Sequence, residues 1–246
     1  MKSRTFIAIA DPHGDMLDEV TSKALKSFMA DFKPYTRLHL GDAFDFRNLR
    51  KGASDDEKAA SLEDDWDMGK DFMREFFDGG KENHFLRGNH DERLWHFASS
   101  ATGLLRDYAM DGIKRLEAIV KQSKANMLPY HVRDGVLRIG SLKAIHGYAH
   151  GLSAAQVHAR VFRNCIFGHI HSIVSAPVES DDGPMEARGI GALCRIDMPY
   201  NSTRTATLRQ ENGWAYGHLF EDGSYQLFQT RRIKDSFYAA HEIKAY

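Results

Sequence analysis

Cysteine is scarce in this 246-residue chain, which has only Cys165 and Cys194. Two thiols cannot build the disulfide framework of a small secreted scaffold. One bridge stays formally open, but both are expected to be small buried apolar residues of a reducing compartment. Neither sign of charge is in excess: 33 Lys and Arg stand against 34 Asp and Glu, a net charge of −1. That balance excludes a long basic surface neutralising many phosphates, although not a nucleic-acid substrate held at a small site. Long apolar runs are missing too, and no stretch approaches the ~20 residues of a membrane span. The opening "MKSRTFIAIADPHGD" has a basic start but only a short apolar run, so it does not read as a secretory signal. The expectation is a cytoplasmic protein with no membrane contact. Repeats, low-complexity segments and long linkers are absent, which favours one α/β domain over residues 1–246.

What is present is a series of short apolar runs, each broken by polar residues. "RTFIAIA" stops at Asp11-Pro12-His13-Gly14. A helical pattern follows (Leu17, Val20, Ala24, Leu25, Phe28, Met29) until Pro34. "YTRLHL" then ends at Gly41-Asp42. The acidic segment 48–80 reads as helical, with Leu62, Trp66, Met68, Phe72, Phe76 and Phe77 on its buried side and Gly79-Gly80 closing it. "NHFLR" ends at Gly88-Asn89-His90-Asp91. Residues 93–124 are helical again, with Ile113, Leu116, Ile119 and Val120 on one face. "VLRIGSLKAIHG" holds two strands, the second ending at His146. "SAAQVHARVF" is a helix capped by Ser153, and "NCIF" ends at Gly168-His169-Ile170-His171. Beyond it, "MEARGIGALCRI", "GWAYGHLF" and "SYQLFQT" are strand-like, with a hairpin turn at 221–224.

Five strand-like runs thus end in Asp11/His13, Asp42, Asn89/His90, His146 and His169/His171. Ligands of open α/β sheets sit at the carboxyl ends of the strands, so residues far apart in sequence should gather at one edge. Carboxylates, an amide and imidazoles, with no thiolate, suit a borderline divalent ion such as Mn, Fe, Ni or Zn. One ion needs fewer ligands than this, whereas two ions sharing a carboxylate need about this number. A pair of ions ~3.5–4 Å apart clamps the attacking and leaving oxygens of a phosphoryl displacement.

The ordered motifs "DPHGD", "GDAFD", "GNHD", "HG" and "GHIH", spanning 11–171, resemble the calcineurin-like metallophosphoesterase superfamily. The resemblance implies a four-layer α/β/β/α sandwich of two mixed sheets, with the tail after 171 serving as the second sheet. It implies two divalent ions, manganese first among them, that activate a bridging hydroxide for in-line attack on phosphorus. Asp11, His13 and His171 would hold one ion; Asn89, His146 and His169 would hold the other; Asp42 would bridge both. His90 would act on the leaving group, oriented by Asp45, and Arg87 and Asn89 would touch substrate. The branch with an arginine before GNH also carries one directly after the Asp45 position, where this chain has Phe46 followed by Arg47. Asp91 in place of Glu is more typical of the family's nucleases and phosphodiesterases. The lead expectation is therefore a phosphodiesterase or nuclease core of the SbcD/Mre11-like, phage or bacterial type, acting on DNA or RNA. A phosphomonoesterase and a non-catalytic metal-binding scaffold are the alternatives.

His150, four residues past His146, is a candidate for substrate contact or for support of a ligand. His39, between two leucines, is expected to be structural, and His84, His96, His131, His158, His218 and His241 to be surface or packing residues. "SDDEKAASLEDDWD" reads as a solvated helix face. The 93–124 stripe has three readings: core, a cap over the site, or a surface for a second copy. "YNSTRTATLRQENGW" mixes arginines with Tyr200 and Trp214 and reads first as a loop between strands, with a composition that can also stack and steer a nucleic-acid strand.

Overall fold

A computed structural model of the chain describes residues 2–181, 183–196 and 205–240. Strand β1 (Ser3–Ile9) leads through α1 (Glu19–Phe32) to β2 (Thr36–His39). Helices α2 (Asp55–Ala59) and α3 (Leu62–Phe77) precede β3 (Glu82–Leu86), and α4 (Arg93–Ser100) and α5 (Leu104–Gln122) precede β4 (Asn126–Leu128). These four strands are parallel neighbours, as helical crossovers require. A second sheet begins with the hairpin β5 (Leu137–Ile139) and β6 (Leu142–Ile145). It continues through α6 (Ala154–Phe162), β7 (Cys165–Phe167), β8 (Ile173–Val178) and β9 (Met185–Ile190), in the order β5-β6-β7-β9-β8. The chain then returns to the first sheet. β10 (Gly213–Phe220) pairs antiparallel with β1, followed by β11 (Tyr225–Ile233) and β12 (Ser236–Phe237), giving the order β12-β11-β10-β1-β2-β3-β4.

Alternation along the strands sorts side chains between layers. In β1, Ile7 and Ile9 join Leu25, Phe28, Phe72, Phe76 and Ile113 beneath the helices, while Phe6 and Ala8 face Leu142, Ala144 and Ile166 of the second sheet. In β7, Cys165 and Phe167 turn outward under Ala155, Ala159 and Phe162 of α6. Helices, sheet, sheet and helix are stacked in that order, the layering implied by the resemblance. Local signals set the helix ends. The Asp18 side chain accepts from Thr21 N at 2.8 Å to start α1, and Lys33, left-handed at φ 50°, ends it before Pro34. Ser61 Oγ caps α3 through Asp64 N at 3.1 Å.

Two expectations change, on the tail and on the acidic segment, and two open readings are narrowed. The tail after 171 does not form a separate second sheet: β8 and β9 join that sheet, but β10 to β12 extend the first one. The 93–124 region is two helices broken before Gly103, and the stripe of α5 lies in the core beneath the first sheet. Trp214 is buried against Phe28 and Phe237, so it has no face to offer a base. The acidic segment is not uniformly solvated, since Glu57 and Asp65 are buried. Tyr200 and His241 lie outside the described residues. No helix among the described residues is long and apolar enough to cross a membrane.

Candidate metal centre

The strand ends turn on residues in the left-handed region: Asp11 (φ 56°), His13 (54°), Asp42 (52°), His169 (69°) and His171 (54°). Asp and His enter that region more readily than bulky residues, and its cost is tolerated where the surroundings hold it in place. Those surroundings are a ladder of loop hydrogen bonds. Asp11 N donates to Gly41 O (3.1 Å), His13 N to Asp42 O (3.0 Å) and Gly168 N to His146 O (2.8 Å). The Asp91 carboxylate ties two loops together by accepting from Asp42 N (2.8 Å), Gly88 N (2.8 Å) and Phe44 N (3.3 Å). Burial pushes Asp91 up to about 7 against those donors. Its visible task is thus to hold the loops together. Gly88 is required because a Cβ there would lie 2.0 Å from Asp42 Oδ1.

The side chains converge in two groups that meet at Asp42. In the first, His13 Nε2 is 3.1 Å from His171 Nε2, and Asp11 Oδ1 is 3.9 Å from His171 Nε2. In the second, Asn89 Oδ1 is 2.9 Å from His146 Nε2 and 2.7 Å from His169 Nδ1. Asp42 Oδ2 lies 3.4 Å from His146 Nε2 and 3.9 Å from His13 Nε2, between the two. Asp42 belongs both to the cluster with His13 and His90 and to the cluster with His146 and His169.

Outer contacts fix the rings. His146 Nδ1 donates to Leu40 O at 2.8 Å, and His13 Nδ1 is 3.2 Å from Asp45 Oδ1. Burial opposes charge on His13, but the Asp45 hydrogen bond and the nearby carboxylates outweigh it and raise the ring to about 9. His146 is likewise raised to about 9, burial being outweighed by Asp42 and Asp11. Burial lowers His169 and His171 well below the ordinary imidazole range, leaving them neutral as metal ligation requires. Asp42 stays ionised well below the usual range, because His146 and His90 overcome its burial.

The side chains fit a pair of cations. Asp11 Oδ1 is buried without a hydrogen-bond partner among the described residues. Two imidazole nitrogens 3.1 Å apart match neighbouring ligands of one ion, each ~2.0–2.1 Å from it. The close groups of ligating atoms are His13 with His171 and Cys194, His13 with Asp42 and His90, and Asp42 with His146 and His169, with Asp11 Oδ1 3.9 Å from His171 Nε2 and Asn89 Oδ1 beside His146 and His169.

Around this centre lies a second tier. His90 Nδ1 is 2.7 Å from Asp45 Oδ1, and its Nε2 is 3.1 Å from Arg93 Nη2. Arg93 also donates to Asp45 O at 2.7 Å. Arg47 binds both Asp45 (3.3 Å) and Asp15. Asp65 accepts from Asp45 N (3.0 Å) and Phe46 N (2.7 Å), bracing the loop from the helix behind it. Sequence reading missed Arg93 and Asp65. Arg93 falls just after the GNHD motif, and Asp65 looks like one more acid on a polar helix. Cys194 was missed as well, because no motif surrounds it. Its Sγ is 3.8 Å from His171 Nδ1 and it shares a cluster with His13 and His171, so a sulfur does stand at this site.

A cavity of about 540 Å³ opens over Asp42, Asn89, His90, His169 and His171. Arg50, Arg93, His150, Thr207, Arg209 and Gln210 line its sides, which brings part of the "YNSTRTATLRQENGW" stretch to the site. His150 Nδ1 is 2.9 Å from His169 Nε2. Arg87 is placed elsewhere. Its guanidinium lies 3.8 Å over the Trp95 ring and 3.4 Å from Glu92, so the contact with substrate expected of it is not supported. His39 is buried among Phe72, Phe76, Phe77 and Phe85, and burial lowers it to about 3. His158 Nε2 accepts from Tyr148 N (2.9 Å) and Ala149 N (3.2 Å), pinning the loop that carries His150.

No family model matches the chain, and no curated protein matches it. Among solved structures it is similar to vacuolar protein sorting 29 from Cryptosporidium parvum, at 12% identity and a TM-score of 0.43 over 94% of this chain and 99% of that one. It is similar to Yfce, a phosphoesterase from E. coli, at 12% identity and a TM-score of 0.40, covering 89% of each chain. A 5'-nucleotidase precursor from Thermus thermophilus matches at 11% identity and a TM-score of 0.42, over 93% of this chain and 54% of its own. These likenesses are low in identity and in superposition, and the chemistry of the site rests on its own side chains.

Proposed function

We propose that this protein is a dinuclear-metal phosphoester hydrolase that acts on phosphodiesters, with a DNA or RNA strand as the leading substrate class. The observation that carries the reading is the position of Asp42, whose carboxylate belongs to two separate groups of ligating atoms. Two divalent ions held there supply charge neutralisation at phosphorus and lower the pKa of solvent water. Manganese fits the nitrogen and oxygen donors, with iron, nickel and zinc as alternatives.

The chain's own groups do the rest. Asp45 fixes the His90 ring at Nδ1 and leaves Nε2 toward the cavity, beside Arg93. Nε2 accepts from the Arg93 guanidinium and burial lowers the ring's pKa, so His90 stands as a neutral acceptor and serves the leaving oxygen as an acid only after a proton moves onto Nε2. The Arg93 guanidinium, anchored on Asp45 O, presents a fixed positive charge to a phosphoryl oxygen. Arg209 and Gln210 on the open side suit a neighbouring phosphate or sugar of a strand.

A second reading, a phosphomonoesterase, is favoured by the three arginines lining the cavity, Arg50, Arg93 and Arg209, which suit a doubly charged terminal phosphate. Parallel assays separate the readings: a bis-aryl phosphodiester, a mono-aryl phosphate, and labelled single- and double-stranded DNA, each with Mn, Ni or Mg. Turnover of the diester and of DNA is expected. Turnover of the monoester alone replaces the lead reading, and none with any metal points to a binding scaffold.

A further inference from the structure

The ring nitrogens of the candidate ligands divide by direction. His13 turns Nδ1 to Asp45 Oδ1 (3.2 Å) and Nε2 to the centre. His146 turns Nδ1 to Leu40 O (2.8 Å) and Nε2 toward Asn89 and Asp42. His171 follows the same rule. Its Nε2 faces His13 and Asp11, while its Nδ1 faces Cys194 Sγ at 3.8 Å. A ligating histidine needs one nitrogen for the ion and a partner on the other to fix its tautomer and tilt. For His171 that partner is a sulfur.

We infer that Cys194 is a positioning residue of the metal centre, its sulfur accepting the Nδ1 proton of His171 and so aiming Nε2 at the first ion. The inference rests on the two-metal reading above. The sulfur is fully buried and its backbone is fixed on both sides. Cys194 N donates to Asp11 O at 3.0 Å, and Cys194 O accepts from Asn212 Nδ2 at 2.7 Å. The segment that places the sulfur is thereby registered against Asp11, whose Oδ1 is buried beside His171 without a hydrogen-bond partner among the described residues. Cys165, the other thiol, packs in the outer cluster under α6 and has no part in the centre. Sulfur is a weaker acceptor than the carboxylate that holds His13 or the carbonyl that holds His146. His171 is therefore the least firmly held of these three imidazoles, and the affinity of the first ion responds to what stands at position 194.

The test is a cobalt(II) titration of the metal-stripped protein, followed by calorimetry and by absorption, with unfolding curves confirming that each variant folds. Two ions should bind the wild type. Cys194→Ala should weaken one of them about 10–100-fold and leave the other unchanged. Cys194→Val, which fills the space without an acceptor, should fail like Ala. No intense sulfur-to-cobalt charge-transfer band should appear. Unchanged affinity in Cys194→Ala overturns the inference, as does a Val variant that binds like wild type, which would mean packing alone. A charge-transfer band lost on substitution also overturns it, because the sulfur would then be a ligand. If the wild type takes up no cobalt, the two-metal reading falls and this inference with it. Two ions bound with no effect at 194 sinks the inference alone.

Discussion

Asp45 Oδ1 stands 2.7 Å from Nδ1 of His90, and the same oxygen is 3.2 Å from Nδ1 of His13. One buried carboxylate oxygen thus steadies both a candidate ligand and the histidine proposed to act on the leaving group. The Asp65 carboxylate and Arg47 hold that carboxylate's own loop in turn.

His90 is outside the proposed ligand set, so removing it should spare the ions. His90→Ala is expected to lower kcat by about 10²–10⁴-fold with metal content retained. Asp45→Ala should do the same and also weaken the first ion through His13. Elemental analysis beside single-turnover rates checks both. Loss of both ions from His90→Ala would make that ring a ligand or a structural support.

Asp42 is the shared residue. Asp42→Asn removes one negative charge from between the two groups and should reduce occupancy of both ions, with activity falling at least about 10²-fold. A variant that keeps two tightly bound ions would show that Asp42 does not bridge.

Metal uptake should depend on pH through His13 and His146. Both are raised from 6.5 to about 9 in the metal-free site, so each still carries a proton near neutrality. The stability they contribute is fully present below 6.5 and is lost as pH rises through about 9. A cation must displace those protons, so affinity should climb across that window, with about two protons released on loading near pH 7.5. Calorimetry in buffers of different ionisation enthalpy counts them. Uptake that releases none would mean that both rings are already neutral.

Asp65 gives a separate titration in the scaffold. Burial raises its carboxyl from 3.8 to about 6, against the pull of two backbone donors. Its contribution to stability is present below 3.8 and is lost as pH rises through about 6, where a buried charge must form. Between those limits the wild type should lose up to about 2–3 kcal/mol relative to Asp65→Asn, which cannot ionise. Urea unfolding of both proteins across that range measures the difference. Parallel curves would mean that Asp65 is already ionised under acid conditions.

Gly88 has no room for a side chain. A Cβ would meet Asp42 Oδ1 at 2.0 Å and Asp42 N at 2.4 Å, contacts that force the Asp42 loop to move. Gly88→Ala should cost about 1–3 kcal/mol of stability and lower metal occupancy, read by thermal unfolding and elemental analysis. Wild-type occupancy would show that the loop yields without disturbing the centre.

The candidate ligands could be grouped from sequence because each sits after an apolar run, and the carboxyl ends of parallel strands share one edge. Asp11, Asp42, Asn89, His146 and His169 needed no knowledge of packing to be grouped. Trp214 and Arg87 show the same limit of a local reading. An aromatic or an arginine near a motif looks available in sequence, and only the neighbours that bury Trp214 or stack on Arg87 decide otherwise. Of the tail, β8 and β9 joined the expected sheet and β10 to β12 did not, because antiparallel strands of either sheet alternate alike. Pairing of β10 with β1 depends on which edge is open once the core has formed.

By itself, then, the sequence determined the layered α/β class and a set of polar strand ends with the donor chemistry of a divalent metal centre. Those follow from periodicity and residue type, which are local. The tertiary structure alone decided that Asp42 lies between two groups of candidate ligands, that Asp45 contacts two histidines, and that Arg93 and Cys194 stand beside them. Those relations join segments far apart along the chain, and loop hydrogen bonds and left-handed turns fix their distances, which no local pattern encodes.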